Sequence, residues 1–394
     1  MTWRVQCFNR IADRGLDRLR QAGCEVGTDL ENPDGIILRS KVLSEALLGD
    51  SVLAVARAGA GVNNIPIEIC TGKGQVVFNT PGANANAVKE LVVAGLMLSS
   101  RDILGGAEFV KSLASLPSDQ FGTAVEAEKK RFAGREVAGR TLGIVGLGAI
   151  GSLVANAALE LGMDVVGFDP ALSVEAAWRL SSAVEKMESL KSLFAKADYI
   201  TLHVPDMPAT RGMIDAEAVS QMKTGSVVMN FARAGIVDLA AVTNGLQTGQ
   251  LGCYVTDFPS PELLQQPNAI ALPHIGASTE EAEANCARMA ADQLATFLAT
   301  GNVRNAVNFP ATEMEVGAGH RITFSNENVP RVLGDVLGLL ADADLNVIDL
   351  VNRSRGELAY NIIDVETQPS AELVAAIRAV PNVIRVRTLN GVDA

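Results

Sequence analysis

A glycine-rich segment in the middle of the chain has the residue types and spacing of a phosphate-binding turn. Gly146, Gly148 and Gly151 lie between the apolar run TLGIV and an apolar segment with helical periodicity. In this context the first glycine permits a tight turn, the second leaves room for a pyrophosphate, and the third lets the helix pack closely on the strand. The helix N-terminus at Ala149 and Ile150 offers N–H groups to the phosphates. The pattern predicts a dinucleotide site.

The next apolar run, VVGFD, ends in an acidic residue. Asp169 follows Gly151 at close to the roughly 20-residue separation at which a carboxylate can bond the ribose hydroxyls of a dinucleotide. The competing interpretations are a glycine-rich turn without a ligand and an Asp that caps a helix ahead of Pro170. Because a carboxylate here repels a 2′-phosphate, the sequence favours NAD over NADP.

Two residues that suit hydroxy-acid chemistry follow further apolar runs. His274 lies in ALPHIGAST, and Arg233 lies in NFARAGIVD. An imidazole exchanges a hydroxyl proton near neutral pH, and a guanidinium can hold a carboxylate with two hydrogen bonds. The competing role of His274 is loop packing, and that of Arg233 is a surface ion pair with Asp238. Together with a dinucleotide, these residues predict hydride transfer between a small hydroxy acid and NAD.

The motifs GLGAIG, NFARAGIVD and PHIGAST, in this order and separation, resemble the D-2-hydroxyacid dehydrogenase family. The resemblance extends over about the first three-quarters of the chain. It implies two similar α/β domains that close over the active site, with NAD held by the second domain. The further cofactor contacts that it implies are Thr80, Val204, Phe231, Ala232, Asp257, Gly276 and Ala277.

One part of the family pattern is altered. Many members carry GAALDVF followed by a Glu-Pro pair, whose Glu orients the catalytic histidine, whereas this chain reads GCYVTDFPSPELL. Pro261 takes the Glu position, and Glu262 comes one place later. We expect Glu262 to be the third catalytic residue, with Asp257 in reserve, because a carboxylate favours the imidazolium form of His274. The competing interpretation of Glu262 is a solvated carboxylate at a helix start.

The segment ARAGAGVNNIP resembles the substrate loop of family members that act on 3-phosphoglycerate. Arg57 and Arg39 each end an apolar run, so the two cations could converge on a phosphate or serve as structural ion-pair partners. The expected reaction is NAD-dependent oxidation of D-3-phosphoglycerate to 3-phosphohydroxypyruvate, the first step of phosphorylated serine biosynthesis. Another small 2-hydroxy acid (glycerate, glyoxylate or hydroxypyruvate) and a non-catalytic NAD-sensing interaction protein remain alternatives. The substrate-binding residues implied are Arg39, Arg57, Gly59, Ala60, Gly61 and Asn84.

The elements that must position these residues alternate between short apolar runs and helical segments, which predicts doubly wound parallel sheets. The expected fold class is α/β, with a flavodoxin-like substrate domain, a Rossmann-like NAD domain and a C-terminal βαββαβ ferredoxin-like domain. We expect the substrate domain to comprise residues 1–97 and 284–310, and the NAD domain residues 98–283. The C-terminal domain is expected at residues 318–394.

The C-terminal segment SNENVPRVLGDVLGLLADADLNVIDL resembles an ACT regulatory domain, a module that binds small effectors. Asn328 and Asn346 match positions that bind serine in serine-regulated relatives, and L-serine is therefore a candidate effector. Two departures stand beside this match: Asn326 replaces the usual His, and Val329-Pro330-Arg331 replaces the usual Pro-Gly order. Both Asn residues could instead cap a helix or a turn.

Bulk properties limit the remaining possibilities. The chain has 394 residues, 48% of them hydrophobic, and a formal net charge of −12 without a Lys/Arg-rich block, so we expect globular domains and no nucleic-acid partner. No apolar run reaches membrane-spanning length, which predicts no membrane partner. The five cysteines are scattered, which favours a reducing cytoplasm and disfavours a metal site. The family resemblance implies a homodimer or homotetramer.

Overall fold

The computed structural model describes residues 2–317 and 319–389. Ala318 and residues 390–394, the two ends of the expected C-terminal domain, lie outside the described residues. By their contacts the residues form two compact units, Met1–Asn84 with Thr279–Ala394 (the first unit) and Ala85–Ser278 (the second unit).

The elements are numbered in chain order. The strands are β1 (Arg4–Cys7), β2 (Glu25–Gly27), β3 (Gly35–Leu38), β4 (Ala54–Arg57), β5 (Val76–Phe78), β6 (Thr141–Val145), β7 (Asp164–Phe168), β8 (Glu185–Lys186), β9 (Tyr199–Leu202), β10 (Ser226–Asn230), β11 (Leu251–Thr256), β12 (Ala269–Ala271), β13 (His320–Glu327), β14 (Val347–Arg355), β15 (Leu358–Val365) and β16 (Val383–Leu389). The helices are α1 (Asp13–Gln21), α2 (Ile67–Gly72), α3 (Ala85–Ser100), α4 (Ile103–Ser112), α5 (Ser118–Glu128), α6 (Ala149–Glu160), α7 (Val174–Ala177), α8 (Leu190–Lys196), α9 (Ala216–Gln221), α10 (Leu239–Thr248), α11 (Glu280–Thr300), α12 (Val332–Asp342) and α13 (Ala371–Ala379).

The first unit contains a five-stranded parallel sheet with the order β2-β1-β3-β4-β5. Strand β3 is buried along its whole length, as expected for a parallel strand that is covered on both faces. Helix α11, 21 residues long, packs on α1. The approach is close at Gly15, where a Cβ would lie 2.7 Å from the backbone of Ala287.

The first unit also contains a four-stranded antiparallel sheet with the order β14-β15-β13-β16. One face of this sheet, with Ile322, Phe324 and Ile363, packs on α12 and α13. The other face shares a core with the parallel sheet through Tyr360 and Ile362. The βαββαβ element order expected from the sequence is confirmed.

The second unit contains a seven-stranded parallel sheet with the order β12-β11-β10-β9-β6-β7-β8. The strand order reverses between β6 and β9, the switch point at which open α/β sheets bind ligands beyond the carboxyl ends of their strands. Helix α3 belongs to this unit because Val88, Val92 and Leu96 share a core with Leu142. The observed boundary therefore precedes α3, whereas the expected substrate domain continued to residue 97.

Candidate active site

The glycine-rich turn follows β6 and leads into α6. Gly146 has φ +90°, a conformation that favours glycine, and a Cβ there would lie 2.7 Å from the carbonyl oxygen of His203. A Cβ on Gly151 would overlap the carbonyl oxygen of Gly146, so helix and turn pack as closely as expected. A Cβ on Gly148 would meet nothing within 4 Å. Open space therefore lies beside the N-terminus of α6, where a phosphate can approach the backbone.

Asp169 follows β7 and is bonded to this turn. Its Oδ2 accepts a hydrogen bond from the N–H of Leu147 at 2.8 Å, and its Oδ1 accepts one from Ala171 at 2.9 Å. No helix begins at Pro170, since α7 starts at Val174. Each carboxylate oxygen has a further lone pair for a ribose hydroxyl. The open turn and this fixed carboxylate fit a dinucleotide.

Arg233 follows β10 and is exposed. The loop that carries it is held by the fully buried Asn230, whose Nδ2 donates to the carbonyl of Arg233 at 2.9 Å. The Oδ1 of Asn230 accepts from the N–H of Ala232 at 3.1 Å. Asp238 caps α10 through the N–H groups of its first residues, and no ion pair joins it to Arg233 within the described part of the chain. Within the described residues, Arg233 thus does not form the surface ion pair with Asp238 that was the competing interpretation.

His274 follows β12 and is exposed, with a left-handed φ of +26° that is uncommon for a residue with a side chain. Its N–H donates to the carbonyl of Asp257 at 2.9 Å, and its ring lies 5.0 Å from the ring of Phe258. Backbone strain of this kind often marks functional positions. The histidine is thus presented by a fixed loop at the same sheet edge as Arg233.

Glu262 is exposed and lies at the start of a short 3₁₀ turn. Its own backbone N–H and the hydroxyl of Ser260 lower the pKa of its carboxyl group. Among the described residues, no hydrogen bond or ion pair connects Glu262 with His274. This geometry agrees with the competing interpretation, a solvated carboxylate at a helix start.

Asp257 follows β11 and is fully buried. Its Oδ2 accepts from the N–H of Gly276 at 2.9 Å, while its Oδ1 has no hydrogen-bond partner among the described residues. Because its carbonyl also accepts from the N–H of His274, Asp257 holds the loop of His274 through both its backbone and its side chain. A buried carboxylate oxygen without a partner is rare and calls for an explanation.

The remaining cofactor positions of this unit lie along the same edge. Phe231 is buried against Gly95, and a Cβ on Gly146 would approach Val204 to 2.9 Å. His203, which the sequence analysis did not assign, follows β9 and adjoins the glycine turn. Its Nε2 lies 3.0 Å from the Thr201 hydroxyl, its Nδ1 is buried without a partner among the described residues, and burial lowers its pKa to about 3. Its position directly after the apolar run DYITL was the available signal.

In the first unit, the residues expected to contact substrate or cofactor follow neighbouring strands. The substrate candidates Arg39 and Arg57 lie after β3 and at the end of β4, and Thr80, an expected cofactor contact, follows β5. The N–H of Thr80 donates to the carbonyl of Gly59 at 3.1 Å, and Asn79 donates to Ala60 at 2.7 Å, so the two loops are joined.

The two arginines of this edge differ in their partners. Arg57 donates through Nε to the carbonyl of Arg39 at 3.1 Å, which brings the two residues together. Arg39 forms an ion pair with Glu283 of α11 at 2.6 Å, the structural role that competed with phosphate binding. Gly61 lies in the loop after β4, and Asn84 directly precedes α3. Both candidate arginines thus lie at one edge of the parallel sheet.

The two candidate effector residues are exposed on the antiparallel sheet domain. Asn328 donates to the carbonyl of Gly356 at 3.1 Å, and Asn346 donates to a carboxylate oxygen of Glu366 at 2.7 Å. Asn326 is instead buried and accepts from Asn361 at 2.7 Å. It therefore belongs to the interior of the sheet domain.

No group of three or more His, Cys, Asp or Glu side chains suited to a metal ion occurs within residues 2–317 and 319–389. Over the same residues, every helix is too short or too polar to cross a membrane. All five cysteines are buried thiols.

The chain is similar to known proteins in both its sequence and its fold. The profile of the D-isomer specific 2-hydroxyacid dehydrogenase NAD-binding domain matches residues 107–276. D-3-phosphoglycerate dehydrogenase of Methanocaldococcus jannaschii is 32% identical over 93% of this chain and 69% of its own length. The Synechocystis enzyme of that name is 33% identical over 99% of this chain and 70% of its own. The NAD⁺-bound 3-phosphoglycerate dehydrogenase of Entamoeba histolytica aligns with a TM-score of 0.61 and 27% identity, over 78% of this chain and 99% of that one.

Proposed function

The chain belongs to the D-isomer specific 2-hydroxyacid dehydrogenase family, and on that basis we propose that it oxidises D-3-phosphoglycerate to 3-phosphohydroxypyruvate with NAD, opening the phosphorylated route to serine. The observation that carries the proposal lies in the second unit. Its parallel sheet has the glycine turn, Asp169, Arg233 and His274 at one edge, after β6, β7, β10 and β12. A dinucleotide site, a carboxylate anchor and a proton acceptor are the groups this reaction needs.

The chemistry divides between three groups. Arg233 binds the substrate carboxylate and orients the carbon that is oxidised. His274 takes the proton of the 2-hydroxyl group, so that the C–O bond becomes a carbonyl as the hydride leaves. Bound NAD supplies the hydride acceptor. In the reverse direction, the protonated His274 acts as the acid.

We assign the cofactor contacts to the glycine turn and the strand ends around it. The turn residues and the N-terminus of α6 bind the pyrophosphate, and Asp169 binds the ribose hydroxyls. The carboxylate excludes a 2′-phosphate and sets the preference for NAD. The further contacts proposed are Thr80, Val204, Phe231, Ala232, Asp257, Gly276 and Ala277.

Two carboxylates compete for the role of orienting His274. Glu262 lies in the segment where the family carries its Glu, whereas Asp257 is hydrogen-bonded to the loop of His274. Loss of the orienting carboxylate removes the counter-charge that stabilises the imidazolium form of His274. Glu262→Gln and Asp257→Asn can thus be compared by the pH profile of kcat/KM. The variant whose acidic limb moves to lower pH identifies the partner.

We assign the substrate phosphate to Arg57, with Arg39 as a second cation. The substrate carboxylate, which Arg233 binds, is also assigned to the backbone N–H groups of the first-unit loop and to an amide side chain: Gly59, Ala60, Gly61 and Asn84. The test compares kcat/KM for D-3-phosphoglycerate and D-glycerate in the wild type and in Arg57→Met. We expect the wild type to prefer the phosphorylated acid at least 100-fold, because a site built for an anion loses its hydrogen bonds with the other acid. The variant should lose most of that preference.

His274→Asn separates catalysis from binding. Asparagine tolerates the left-handed φ of this position but cannot act as a proton acceptor. We expect kcat to fall by 10²–10⁴-fold, with NADH affinity unchanged. Equal kcat/KM values for both acids would favour another 2-hydroxy acid as the substrate. NADH binding without turnover of either acid would instead support an NAD-sensing protein.

We further propose that the βαββαβ module (residues 318–394) is an ACT regulatory domain, beside a substrate domain and an NAD domain, in a cytoplasmic homodimer or homotetramer. The element order supports the module, and five free thiols fit a reducing compartment. L-serine is the proposed effector, through the exposed Asn328 and Asn346. Serine titration of the activity and calorimetry test this proposal. The proposal is rejected if serine neither inhibits the enzyme nor binds to it.

A further inference from the structure

A small cavity lies inside the first unit, between the antiparallel sheet and the parallel sheet domain. The volume that the centre of a water molecule can occupy is about 20 Å³, which exceeds the roughly 10–15 Å³ that one water requires. Strands β13 and β16 supply its polar side chains. The lining residues are Leu53, Gly74, Phe297, Thr323, Phe324, Ser325, Tyr360, Arg385 and Arg387.

The two arginines in this lining are fixed by neutral acceptors. Arg385 donates to the carbonyls of Val52 at 2.7 Å and Asp50 at 2.6 Å. Arg387 donates to the carbonyls of Phe297 at 2.9 Å and of Leu298. Carbonyl dipoles hold the guanidinium groups in place but leave two positive charges at one small cavity.

A third arginine on the same sheet face shows the contrast. Arg321 donates to both carboxylate oxygens of Asp364 at 2.8 and 2.9 Å, so its charge is neutralised. Among the described residues, no carboxylate lies within 4 Å of the guanidinium of Arg385 or Arg387. Burial lowers the pKa of Arg387 to about 10, and the weaker opposing effects of Tyr360 and Asp34 do not offset it.

Ser325 adds an unsatisfied donor. It is 2% exposed, pairs across the strands with Arg385, and its Oγ has no hydrogen-bond partner among the described residues. Gly74 opposes it, and a Cβ there would lie 3.0 Å from this oxygen and 2.5 Å from the Cβ of Arg385. A glycine at this position thus leaves the space open. The lining offers a hydroxyl and two cations, and it lacks an anionic acceptor.

We propose that this cavity binds a monatomic anion of the size of chloride, held by the hydroxyl of Ser325 and by the charges of Arg385 and Arg387. The volume suits a single small ion. The ion accepts the hydrogen bond that Ser325 lacks and offsets the charge of the two half-buried arginines. Since the lining comes from both sheet domains, the ion stabilises the docking of one on the other.

Bromide provides the direct test, because its anomalous scattering separates it from water. Crystals of the full chain grown in sodium bromide should show an anomalous peak in the cavity near Ser325. In solution, the wild-type Tm should rise by several degrees when sodium isethionate is replaced by chloride or bromide at equal ionic strength, because the ion binds the folded state.

Two variants make the result specific. Ser325→Ala should lose most of the halide-dependent rise in Tm, whereas Arg353→Met, which removes an exposed charge from β14 of the same sheet, should keep it. A cavity that contains only water, without an anomalous peak, overturns the proposal. A wild-type Tm that is the same in both salts, or a halide effect that Ser325→Ala retains in full, overturns it as well.

Discussion

The side-chain amide of Asn230 and the backbone of Arg233 are linked by a hydrogen bond of 2.9 Å that sets the course of the chain after β10. The same amide accepts from Ala232, so both of its ends are used within three residues. The carbonyl of Asn230 in turn accepts from the hydroxyl of Thr256 on the neighbouring strand. The proposed carboxylate anchor thus lies on a loop that is fixed by buried polar contacts.

Asn230→Asp keeps the size of the side chain and removes the donor to Arg233. We expect KM for the hydroxy acid to rise about 10–100-fold, the kinetic equivalent of losing one buried hydrogen bond worth roughly 1–3 kcal/mol. NADH affinity, measured by fluorescence, should change little, because the glycine turn is untouched. Asn244→Asp, an exposed change on α10, is the matched control. A lower Tm together with equal weakening of hydroxy-acid binding (KM) and NADH binding would contradict a positioning role.

Two glycines of the turn, Gly148 and Gly151, should respond differently to added side chains. Gly148→Val fills open space, so the fold should persist while NADH affinity falls at least 10-fold, because the pyrophosphate loses its approach to the backbone. Gly151→Ala instead forces a Cβ against the carbonyl of Gly146 and should lower Tm. Gly122→Ala, in the exposed helix α5, should leave NADH affinity unchanged and raise Tm slightly, because alanine favours a helix interior over glycine. An unaltered NADH affinity in Gly148→Val would place the cofactor elsewhere.

Local patterns made much of the second unit predictable. Strands β6 and β7 were predictable because the runs TLGIV and VVGFD are apolar and largely buried, whereas the two residues of β8 are both exposed and give no such pattern. The glycine turn was predictable for the same local reason. The role of Asn230 was not, because the partners of a buried amide depend on how the loop folds back. The separation of Glu262 from His274 likewise depends on tertiary structure.

Arg331 directly precedes α12 and has φ +82°. A left-handed conformation costs a residue with a Cβ roughly 1–2 kcal/mol. Part of this is offset by the entropy that glycine loses on folding, so Arg331→Gly should raise the free energy of unfolding by about 0.5–1 kcal/mol. Gly356→Ala, at φ +60° in open space, should lower it by a similar amount. Urea unfolding measures both, and a destabilised Arg331→Gly would show that the arginine makes compensating contacts.

His203 should make stability depend on pH below neutrality. Burial lowers its pKa to about 3, against about 6.5 in an unfolded chain. Between these values the unfolded chain binds a proton that the folded protein does not, so the free energy of unfolding falls as pH falls. The free energy of unfolding therefore has its full value above about pH 6.5. Between about pH 7.5 and pH 5, protonation of His203 in the unfolded chain lowers it by about 2 kcal/mol. His203→Gln can still bond Thr201 but does not titrate. Over the same pH interval its free energy of unfolding should therefore fall by about 2 kcal/mol less than that of the wild type. Urea unfolding at both pH values measures the difference, and parallel losses in the two proteins would mean that His203 is not the titrating group.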